Sequence, residues 1–578
     1  NPVIIPDSRN LNFANNNVHD MQTAPDQYSN GGLTVSNANN VRANIGFKTG
    51  KFYAEYKIEA GGTTGGLSHL GVALMNVPIE RAGWSSGDFI LWRQDGRRQY
   101  DGSENSGYTL YAVGDIISIL IDADNRRITF WKNGANVEAG LTNLAFNNEI
   151  TNALDNNEYI TFITRPNTDC STTCNFGQGT FVTSNGGQGY TDEDGNGKYQ
   201  YQPPAGYNTL CTENIDSPVG AGLDPQSYFS ITDYSGTGNY DSVTTGNAPD
   251  LLIIKAYSGA DAHHWRVYDS ARSATSCAPF HLNQTTVEDY FNDDPHIQFD
   301  NNGFTMVAGN GNNGIARPST NYIAYGWTGN RLGSANSSGS INSTTYYNST
   351  SGFSIVKYTG NGTYGATVGH GMNNAPKFMF IRNLSSGTST PIYHKETSNV
   401  GNSAVDVMYL NNTTKGTSDN IRNVNSNTVT LTSWVGTNGN SHSMIAYCWE
   451  EIEGFSKFGK YIGNNQRYNE APFVYTGFKP ALLIIRRLDE SRDWYVIDNK
   501  RPGYNNRLDN GGQTDNFGSN YKLITNGSGF QQTAFHGVDL HTNGFSLLTA
   551  ESAVNASGGS YIYMAWAESP FKEATMHK

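Results

Sequence analysis

Residues 249–255 read PDLLIIK, and two later stretches repeat this pattern, as PKFMFIR at 376–382 and PALLIIR at 480–486. The four residues before the closing basic residue are apolar in every case, so both faces of an extended strand are apolar. Such a run is typical of a central strand that is covered on both sides, and the proline before it fits a strand entry. The three stretches therefore predict three similar buried strands.

The repeat continues on both sides of these strands. Each copy opens with an aromatic strand and a Tyr-X-Gly turn and closes on a tryptophan that follows an apolar strand. The marker residues are Tyr234 and Trp327, Tyr358 and Trp449, and Tyr461 and Trp566. A spacing this long is not that of a solenoid turn, so the pattern predicts three whole domains in a row. Serial modules favour display and multivalent contact over catalysis.

A second aromatic strand in each copy shows how the copies diverge. It reads HHWRVYD, TPIYHK and RDWYVID in turn. A shared catalytic carboxylate at its end would use Asp269 and Asp498, but the second copy has His394 or Lys395 there. Polar positions that differ between copies are typical of scaffold modules, so we expect no catalytic site to be repeated.

The length of 578 residues predicts about four domains of roughly 150 residues each. Charged residues make up 15%, aromatics 12%, and glycine is abundant at 64 residues, which favours an all-β fold of tandem β-sandwich domains with many turns. The predicted boundaries are an N-terminal extension or attachment segment at 1–30, a β-sandwich at 31–183, a linker at 184–226, and the three copies at 227–330, 331–453 and 454–578.

Charge and hydropathy exclude two classes of partner. The net charge is −13, from 38 basic and 51 acidic residues, and no basic stripe is present to follow a phosphate backbone. The sequence also contains no run of about 18 apolar residues, the length needed to cross a membrane. We therefore expect neither nucleic-acid binding nor membrane insertion.

The N-terminal sandwich contains four marker blocks. They are GKFYAE at 50–55, LGVA at 70–73, a hairpin from Gly114 that ends in WKNG at 131–134, and NFG at 175–177. This stretch resembles a SPRY domain, a bent, concanavalin-like β-sandwich used as a recognition module. The resemblance implies binding through variable loops at one end of the sandwich, without catalysis.

The longest polar and aromatic excursion of this domain runs from about residue 82 to 111. Aromatic rings and guanidinium groups along it predict a stacking and hydrogen-bonding platform of the kind that sugars or peptide segments use. The candidate ligand-binding residues are Trp84, Trp92, Arg93, Arg97 and Tyr108. Alternatively, Ile90 and Trp92 alternate as in an ordinary strand, and Trp92 then belongs to the core.

Other residue groups do not form a recognisable catalytic or metal site. Cys170 and Cys174 are free thiols, a local disulfide or half of a zinc site, but no second Cys/His pair stands at ligand spacing. The glutamates at 450, 451 and 453 could pair for glycoside hydrolysis, although a solvated linker is the simpler interpretation. No P-loop, GxSxG or HExxH motif occurs. We expect no enzyme activity, no metal and no cofactor.

A second resemblance covers nearly the whole chain. The SPRY-like domain is followed by modules with the wording GFSIVKYTGNGTYGATVGHGMNNAPKFMFIRN at 352–383 and by the junction MIAYCWEEIEGFSKFGKYIGN at 444–464. This combination resembles a class of tailed-bacteriophage virion proteins, particularly of marine phages, that are regarded as fibre, knob or other surface-exposed adhesion components. The resemblance implies a place on the virion surface.

That place implies other virion proteins of the capsid or tail as partners, together with a host-surface glycan or protein. By analogy with fibres we expect a homo-oligomer, and a trimer is one form of it. The main hypothesis is a non-enzymatic fibre, knob or adhesin that binds weakly at each site and gains avidity from multiple copies. The alternatives are a purely structural component that decorates the capsid or tail, and a polysaccharide depolymerase.

Overall fold

Antiparallel β-sheets are the main regular structure of the computed structural model, so the predicted all-β class with tandem β-sandwich domains is confirmed. It describes residues 13–21, 27–38, 40–61, 67–75, 87–215, 224–260, 262–288, 295–308, 314–397, 407–416, 420–467, 471–501, 520–535 and 537–570. The chain forms two compact units. The first comprises Asn1–Ser217, Tyr461–Gly477 and Asn543–Ala550, and the second comprises Pro218–Lys460, Phe478–Thr542 and Glu551–Lys578.

The N-terminal part of the first unit is a sandwich of two antiparallel sheets. Its elements are β1 (Asn16–Met21), β2 (Tyr28–Ser29), β3 (Thr34–Ser36), β4 (Val41–Ala43), β5 (Lys51–Ala60), β6 (Ser68–Leu74), β7 (Phe89–Arg93), β8 (Arg97–Tyr100), β9 (Ser103–Ser106), β10 (Ile116–Asp122), β11 (Arg127–Lys132), β12 (Ala135–Asn136), β13 (Leu144–Ala145), α1 (Asn148–Asp155), β14 (Ile160–Pro166), β15 (Ser171–Asn175) and β16 (Asn208–Thr209). One sheet has the order β1-β4-β14-β6-β7-β8-β9. The other has the order β12-β11-β10-β5-β15-β3-β2, with β13 on β11 and β16 on β5.

The first part of the predicted linker at 184–226 packs within this unit. The ring of Tyr199 meets that of Tyr53 edge to face, with centroids 5.0 Å apart. The carboxylate of Glu55, buried on β5, accepts the backbone N–H of Gln200 at 2.9 Å. Strand β16 then pairs in parallel with β5. These contacts make the segment part of the folded unit.

The three copies contain the remaining strands. The first has β17 (Phe229–Ser235), β18 (Ser242–Thr244), β19 (Leu251–Gly259), β20 (Arg266–Asp269), β21 (Phe280–His281), β22 (His296–Asp300), β23 (Gly303–Ala308) and β24 (Thr320–Trp327). The second has β25 (Ser334–Asn336), β26 (Ser343–Asn348), β27 (Phe353–Thr359), β28 (Thr367–Gly369), β29 (Phe378–Asn383), β30 (Pro391–His394), β31 (Val407–Tyr409), β32 (Lys415–Gly416), β33 (Ile421–Val424), β34 (Thr428–Leu431), α2 (Val435–Asn438) and β35 (Ser443–Trp449). The third has β36 (Ser456–Ile462), β37 (Phe473–Tyr475), β38 (Phe478–Arg487), β39 (Tyr495–Asp498), β40 (Asn520–Ile524), β41 (Gln532–Phe535), β42 (Val538–His541), β43 (Gly544–Leu547), α3 (Ser552–Asn555) and β44 (Ser560–Pro570).

The main sheets of the three copies share one strand order. The opening strand pairs with the closing strand, then come the apolar run and the second aromatic strand: β17-β24-β19-β20, β27-β35-β29-β30 and β36-β44-β38-β39. Alternate residues of an apolar run face different cores, as β19 shows. Leu251 and Ile253 join a large central core, whereas Leu252 and Ile254 face a core that belongs to the first copy. This two-sided burial explains why both faces of the run are apolar.

The closing tryptophans Trp327, Trp449 and Trp566, which we call the tryptophan trio, lie together in the central core of the second unit. Their ring centroids are 5.7, 5.3 and 5.9 Å apart, with interplanar angles of 69, 71 and 70°. Three nearly equal distances and angles describe pseudo-threefold symmetry. The main sheets therefore share one core around the trio, in addition to the separate core behind each sheet in the first two copies.

The basic residue that ends each apolar run ties its copy to another. Each side chain donates to a backbone carbonyl across the boundary between two copies. The pairs are Lys255 Nζ to Ser528 O at 2.9 Å, Arg382 Nη1 to Gln284 O at 2.8 Å, and Arg486 Nη2 to Thr413 O at 2.6 Å. The bonds run from the first copy to the third, from the second to the first and from the third to the second. The copies thus close into a ring within the second unit.

Candidate functional site

Strands β7, β8 and β9 form the end of the seven-stranded sheet where we predicted a ligand platform. Trp92 on β7 is fully buried, and its indole N–H donates to the backbone oxygen of Thr109 at 3.1 Å. Its ring packs edge to face on Tyr111 and Phe130, with centroids 4.9 and 5.7 Å away. The proposed ligand-binding role of Trp92 is therefore wrong, because β7 is an inner strand and Trp92 faces the core of the sandwich. Trp84 lies outside the described residues.

The two predicted arginines belong to one charged network. Arg93 pairs with Asp95 at 3.1 Å and also with Glu104, and Arg97 pairs with the same acids at 3.4 and 3.1 Å. The side chain of Arg93 is 12% exposed, whereas that of Arg97 is 48% exposed. Arg97 is thus available at the surface, and Arg93 positions the two acids beside it.

Tyr108 forms a stack with an arginine that the sequence analysis missed. The guanidinium carbon of Arg98 lies 5.1 Å from the ring centroids of both Tyr100 and Tyr108. One of its nitrogens donates to Gly140 O at 2.6 Å. Arg98 and Tyr100 are two residues apart on β8 and so share one face of the strand, which is a signal that the sequence contains. We call Arg98, Tyr100 and Tyr108 the arginine–tyrosine face; Arg97, one residue before Arg98 on β8, lies on the opposite face of the strand.

The arginine–tyrosine face has an open border. Strand β9 is the edge of its sheet and is exposed at every residue. Leu110 and Val113 follow Tyr108 in the chain and are 63% and 56% exposed. The face combines half-buried aromatic rings, guanidinium donors and exposed apolar side chains, and so it can stack on a ligand and hydrogen-bond to it.

The candidate catalytic carboxylates of the copies are buried and bonded to neighbouring side chains. Asp269 accepts the hydroxyl of Tyr447 at 2.7 Å and pairs with Arg272 at 2.5 Å. Burial, together with the charge of Asp269, raises the pKa of Tyr447. Asp269 is fully buried, so its carboxylate cannot reach a substrate.

The same arrangement recurs at the boundary between the first and third copies, but not at the boundary between the second and third copies. Asp498 accepts the hydroxyl of Tyr325 at 2.8 Å and pairs with Arg501 at 2.6 Å. In the second copy His394 takes the place of the aspartate. Its Nε2 atom lies 3.2 Å from the backbone oxygen of Tyr563. Burial lowers the pKa of His394 to about 3, which keeps the ring neutral.

Two of the three junction glutamates, Glu450 and Glu451, have buried side chains, which corrects the interpretation as a solvated linker at these two residues. Glu450 accepts the hydroxyl of Tyr347 at 2.8 Å and is 3% exposed. The side chain of Glu451, also 3% exposed, pairs with Lys395 at 3.3 Å and with Lys457 at 3.0 Å. Burial raises the pKa of Glu451, but the two lysines outweigh it and lower the pKa to about 2. Glu451 is therefore a charged packing residue.

Cysteines and histidines do not form a metal centre within the described ranges. The five cysteines are free and buried. His264 Nδ1 lies 2.9 Å from the side-chain amide of Asn283. No group of three His, Cys, Asp or Glu side chains in the described part of the chain could hold a metal ion. Across the same residues, no helix has the length and apolar character that a membrane crossing needs.

Two family models match the chain, one in its N-terminal part and one in the part with the three copies. Residues 51–165 match the SPRY domain, which confirms the prediction for the N-terminal sandwich. Similar solved structures include the SPRY domain of human HERC1, 19% identical over 24% of this chain and 85% of that chain, with a TM-score of 0.20. The PSpry domain of TRIM65 is 12% identical over 28% and 92%, with a TM-score of 0.22. A human SPRY domain is 13% identical over 25% and 94%, with a TM-score of 0.18.

No curated protein matches the chain significantly. Residues 224–570, which contain the three copies, match a family described as a domain of unknown function, DUF7483. This match covers more than half of the 578 residues. The chain therefore belongs to the DUF7483 family and has a SPRY domain in front of the family's own domain.

Proposed function

We propose that this protein is a non-enzymatic surface component of a tailed-phage virion, a fibre- or knob-type adhesin that binds a host-surface glycan or protein weakly at each site. The arginine–tyrosine face is the observation that supports this proposal most directly. It is partly exposed to solvent and lies at the edge of one sheet of a SPRY sandwich, the kind of domain that recognises ligands. The resemblance of the sequence to tailed-phage surface proteins is the reason for proposing the virion surface as the place of action.

Burial of the candidate carboxylates favours binding over catalysis. Asp269 and Asp498 are 0% and 2% exposed, and each is paired with an arginine and a tyrosine from packed strands. A glycosidase needs two carboxyl groups about 5 to 10 Å apart around an accessible sugar. The paired acids of the copies stabilise boundaries between sheets, and this role accounts for them without a substrate.

Other virion proteins are the proposed attachment partners, and the proposed oligomer is a homotrimer by analogy with fibres. The second unit already has three main sheets around one core, so association of chains is not needed to build that core. Multi-angle light scattering of the purified protein measures the oligomeric state. A mass of three chains supports the trimer, and a mass of one chain contradicts it.

Antibodies against the purified protein test the proposed role on intact particles. We expect immunogold labelling of the particle exterior and inhibition of adsorption to host cells. Purified protein in excess should compete with particles for the host. A double variant, Arg98→Ala with Tyr108→Ala, should compete less well, whereas the control Lys57→Ala, on the other sheet, should compete normally.

The outcomes also separate the alternatives. Labelling of particles without any inhibition of adsorption would contradict the adhesin and favour a structural decoration of capsid or tail. New reducing ends after incubation with host envelope polysaccharide would favour a depolymerase. Absence of label on intact particles would refute the virion surface location.

A further inference from the structure

One surface turn is built in the same way in all three copies, directly after the opening strand. We call residues 236–240, 360–364 and 463–467 the tip loops. In each loop a side-chain oxygen accepts the backbone N–H two residues later. The bonds are Asn239 N to Thr237 Oγ1 at 3.2 Å, Thr363 N to Asn361 Oδ1 at 2.9 Å, and Gln466 N to Asn464 Oδ1 at 2.9 Å. The residue between them has a positive φ every time, 86° at Gly238, 68° at Gly362 and 61° at Asn465.

The first two tip loops are held firmly against their copies. The N–H of Gly238 donates to Ala316 O at 2.8 Å, and that of Gly362 donates to Asn438 O at 3.0 Å. The glycine that starts each loop permits a close approach of two backbones. A Cβ added to Gly236 would lie 2.2 Å from Arg317 O, and one added to Gly360 would lie 2.3 Å from Gly439 O. The backbone is thus fixed, and the side chain at the tip is presented from a rigid base.

The side chain presented at the equivalent position is a tyrosine in two copies. Tyr240 is 52% exposed and Tyr364 is 57% exposed. Two exposed rings at one repeated position, each on a fixed backbone, are available to stack on a ligand. The third loop presents Arg467 at this position, and Tyr468, the next residue in the sequence, lies outside the described residues.

The surroundings of the two rings identify the kind of ligand. Thr237 and Asp241 hydrogen-bond to each other beside Tyr240, and exposed Asn239 precedes the ring. The guanidinium of Arg422 lies 5.2 Å from the ring centroid of Tyr364. Tyr364 is still more than half exposed. A protein hot spot would sit within a contiguous apolar core. A single ring among hydroxyl, amide and charged groups instead suits a sugar, whose C–H face stacks while its hydroxyls hydrogen-bond.

Charge indicates that the sugar is neutral. The group beside Tyr240 is a carboxylate, Asp241, and the group above Tyr364 is a guanidinium, Arg422. An anionic polysaccharide would be repelled at the first ring, and a cationic one at the second. A ligand that occupies both rings therefore has no net charge in its repeating unit.

We infer that Tyr240 and Tyr364 are repeated subsites for a neutral polysaccharide. This inference rests on the proposed adhesive role and names its ligand class. Each ring binds weakly, and one polysaccharide chain, or several on one cell, engages both rings together. The two equivalent loops thereby convert a weak stacking contact into useful avidity.

Affinity electrophoresis tests the inference with defined probes. The full chain is run through native gels that contain dextran, mannan or galactan. We expect retardation by at least one of these polymers. Removal of one ring, by Tyr240→Ala or Tyr364→Ala, should weaken the apparent affinity on the order of tenfold. The double variant, made in a chain that also carries Arg98→Ala and Tyr108→Ala to remove the arginine–tyrosine face, should migrate as it does in a gel without polymer.

Matched variants keep the outcome clear. Tyr240→Phe with Tyr364→Phe keeps both rings and should stay retarded. Tyr190→Ala removes a tyrosine that is 38% exposed outside the tip loops and should also stay retarded. Circular dichroism of each variant checks that it is folded. Retardation by none of the three polymers, or retardation that survives the double alanine substitution, would overturn the inference.

Two further results distinguish this inference from the broader proposal. Inhibition of adsorption by antibody together with no retardation would keep the adhesive role and refute the tyrosine subsites. Binding to host envelopes that depends on both rings but survives periodate oxidation of the glycans would identify a protein partner and refute the polysaccharide. Retardation without any label on particles would leave the subsites and refute the virion location.

Discussion

The hydroxyl of Tyr447 in the second copy donates a 2.7 Å hydrogen bond to the carboxylate of Asp269 in the first copy. The equivalent bond joins Tyr325 of the first copy to Asp498 of the third at 2.8 Å. Each aspartate also pairs with an arginine three residues later in the chain. These groups are buried, so each aspartate depends on its tyrosine and arginine partners for the hydrogen bonds that water would otherwise provide.

The third boundary lacks every member of this arrangement at once. Where Tyr325 and Tyr447 stand two residues before the closing tryptophan, the third copy has Met564. Where the aspartates stand, the second copy has His394, and the arginine position holds Thr397. A buried aspartate without its tyrosine and arginine would be an unpaired charge. The joint replacement therefore explains why the second copy departs from the repeat.

Substitution of Tyr447 by phenylalanine should weaken the boundary between the first two copies. The variant removes one donor from a buried carboxylate and leaves the ring in place. We expect a loss of roughly 1–3 kcal/mol in the free energy of unfolding, measured by urea denaturation. The control Tyr364→Phe removes an exposed hydroxyl and should change stability by less than about 0.5 kcal/mol. Equal losses in both variants would contradict this role for the hydrogen bond.

Introducing the aspartate, arginine and tyrosine at the boundary between the second and third copies should show that the three side chains act together. His394→Asp alone buries an unpaired carboxylate and should cost on the order of 3–5 kcal/mol. Adding Thr397→Arg and Met564→Tyr supplies the two missing partners and should recover most of that loss. Urea denaturation of the single, double and triple variants measures the coupling. Additive losses, with no recovery in the triple variant, would show that the boundaries are not equivalent.

The stability of the first unit should fall as pH rises between 4.5 and about 7. Burial, opposed by four hydrogen bonds, raises the pKa of Glu55 from 4.5 to about 7. The folded protein binds this proton more tightly than the unfolded chain does, so the contribution is complete below pH 4.5 and is lost as pH rises through about 7. Urea denaturation across this range should show a steeper decline for the wild type than for Glu55→Gln. Parallel curves would refute the assignment.

Trp92 and Arg97 should behave oppositely, although both were predicted to bind ligand. Trp92 is fully buried, so Trp92→Ala should cost about 3–5 kcal/mol of unfolding free energy. The side chain of Arg97 is 48% exposed, so Arg97→Ala should stay within about 0.5 kcal/mol of wild type. Thermal and urea denaturation compare the two variants. A small effect of Trp92→Ala would contradict its place in the core.

Local sequence located the candidate segment but not which of its side chains would be accessible. In the long polar segment after β6, Arg97 is exposed and Tyr108 is half-buried, and their role in ligand binding stays a prediction. Of the two interpretations of Trp92, the structure shows the core strand, and local sequence could not separate them because a tryptophan beside an arginine has the same local pattern on an inner or an edge strand. The spacing of Arg98 and Tyr100 on one strand is visible in the sequence, but the contact of Arg98 with Tyr108 depends on how the chain folds back after β9.

The strands, the SPRY domain and the apolar runs such as Leu251–Ile254 follow from the order of the amino acids, because consecutive apolar residues fit a strand that is covered on both sides. The meeting of Trp327, Trp449 and Trp566 in one core, and the hydrogen bond from Tyr447 to Asp269, became evident only in the folded chain. The two kinds of feature differ in the range of the interactions behind them. Strand pattern depends on neighbours along the chain, whereas a buried charge is stabilised by partners that are distant in sequence and that folding alone brings within hydrogen-bonding distance.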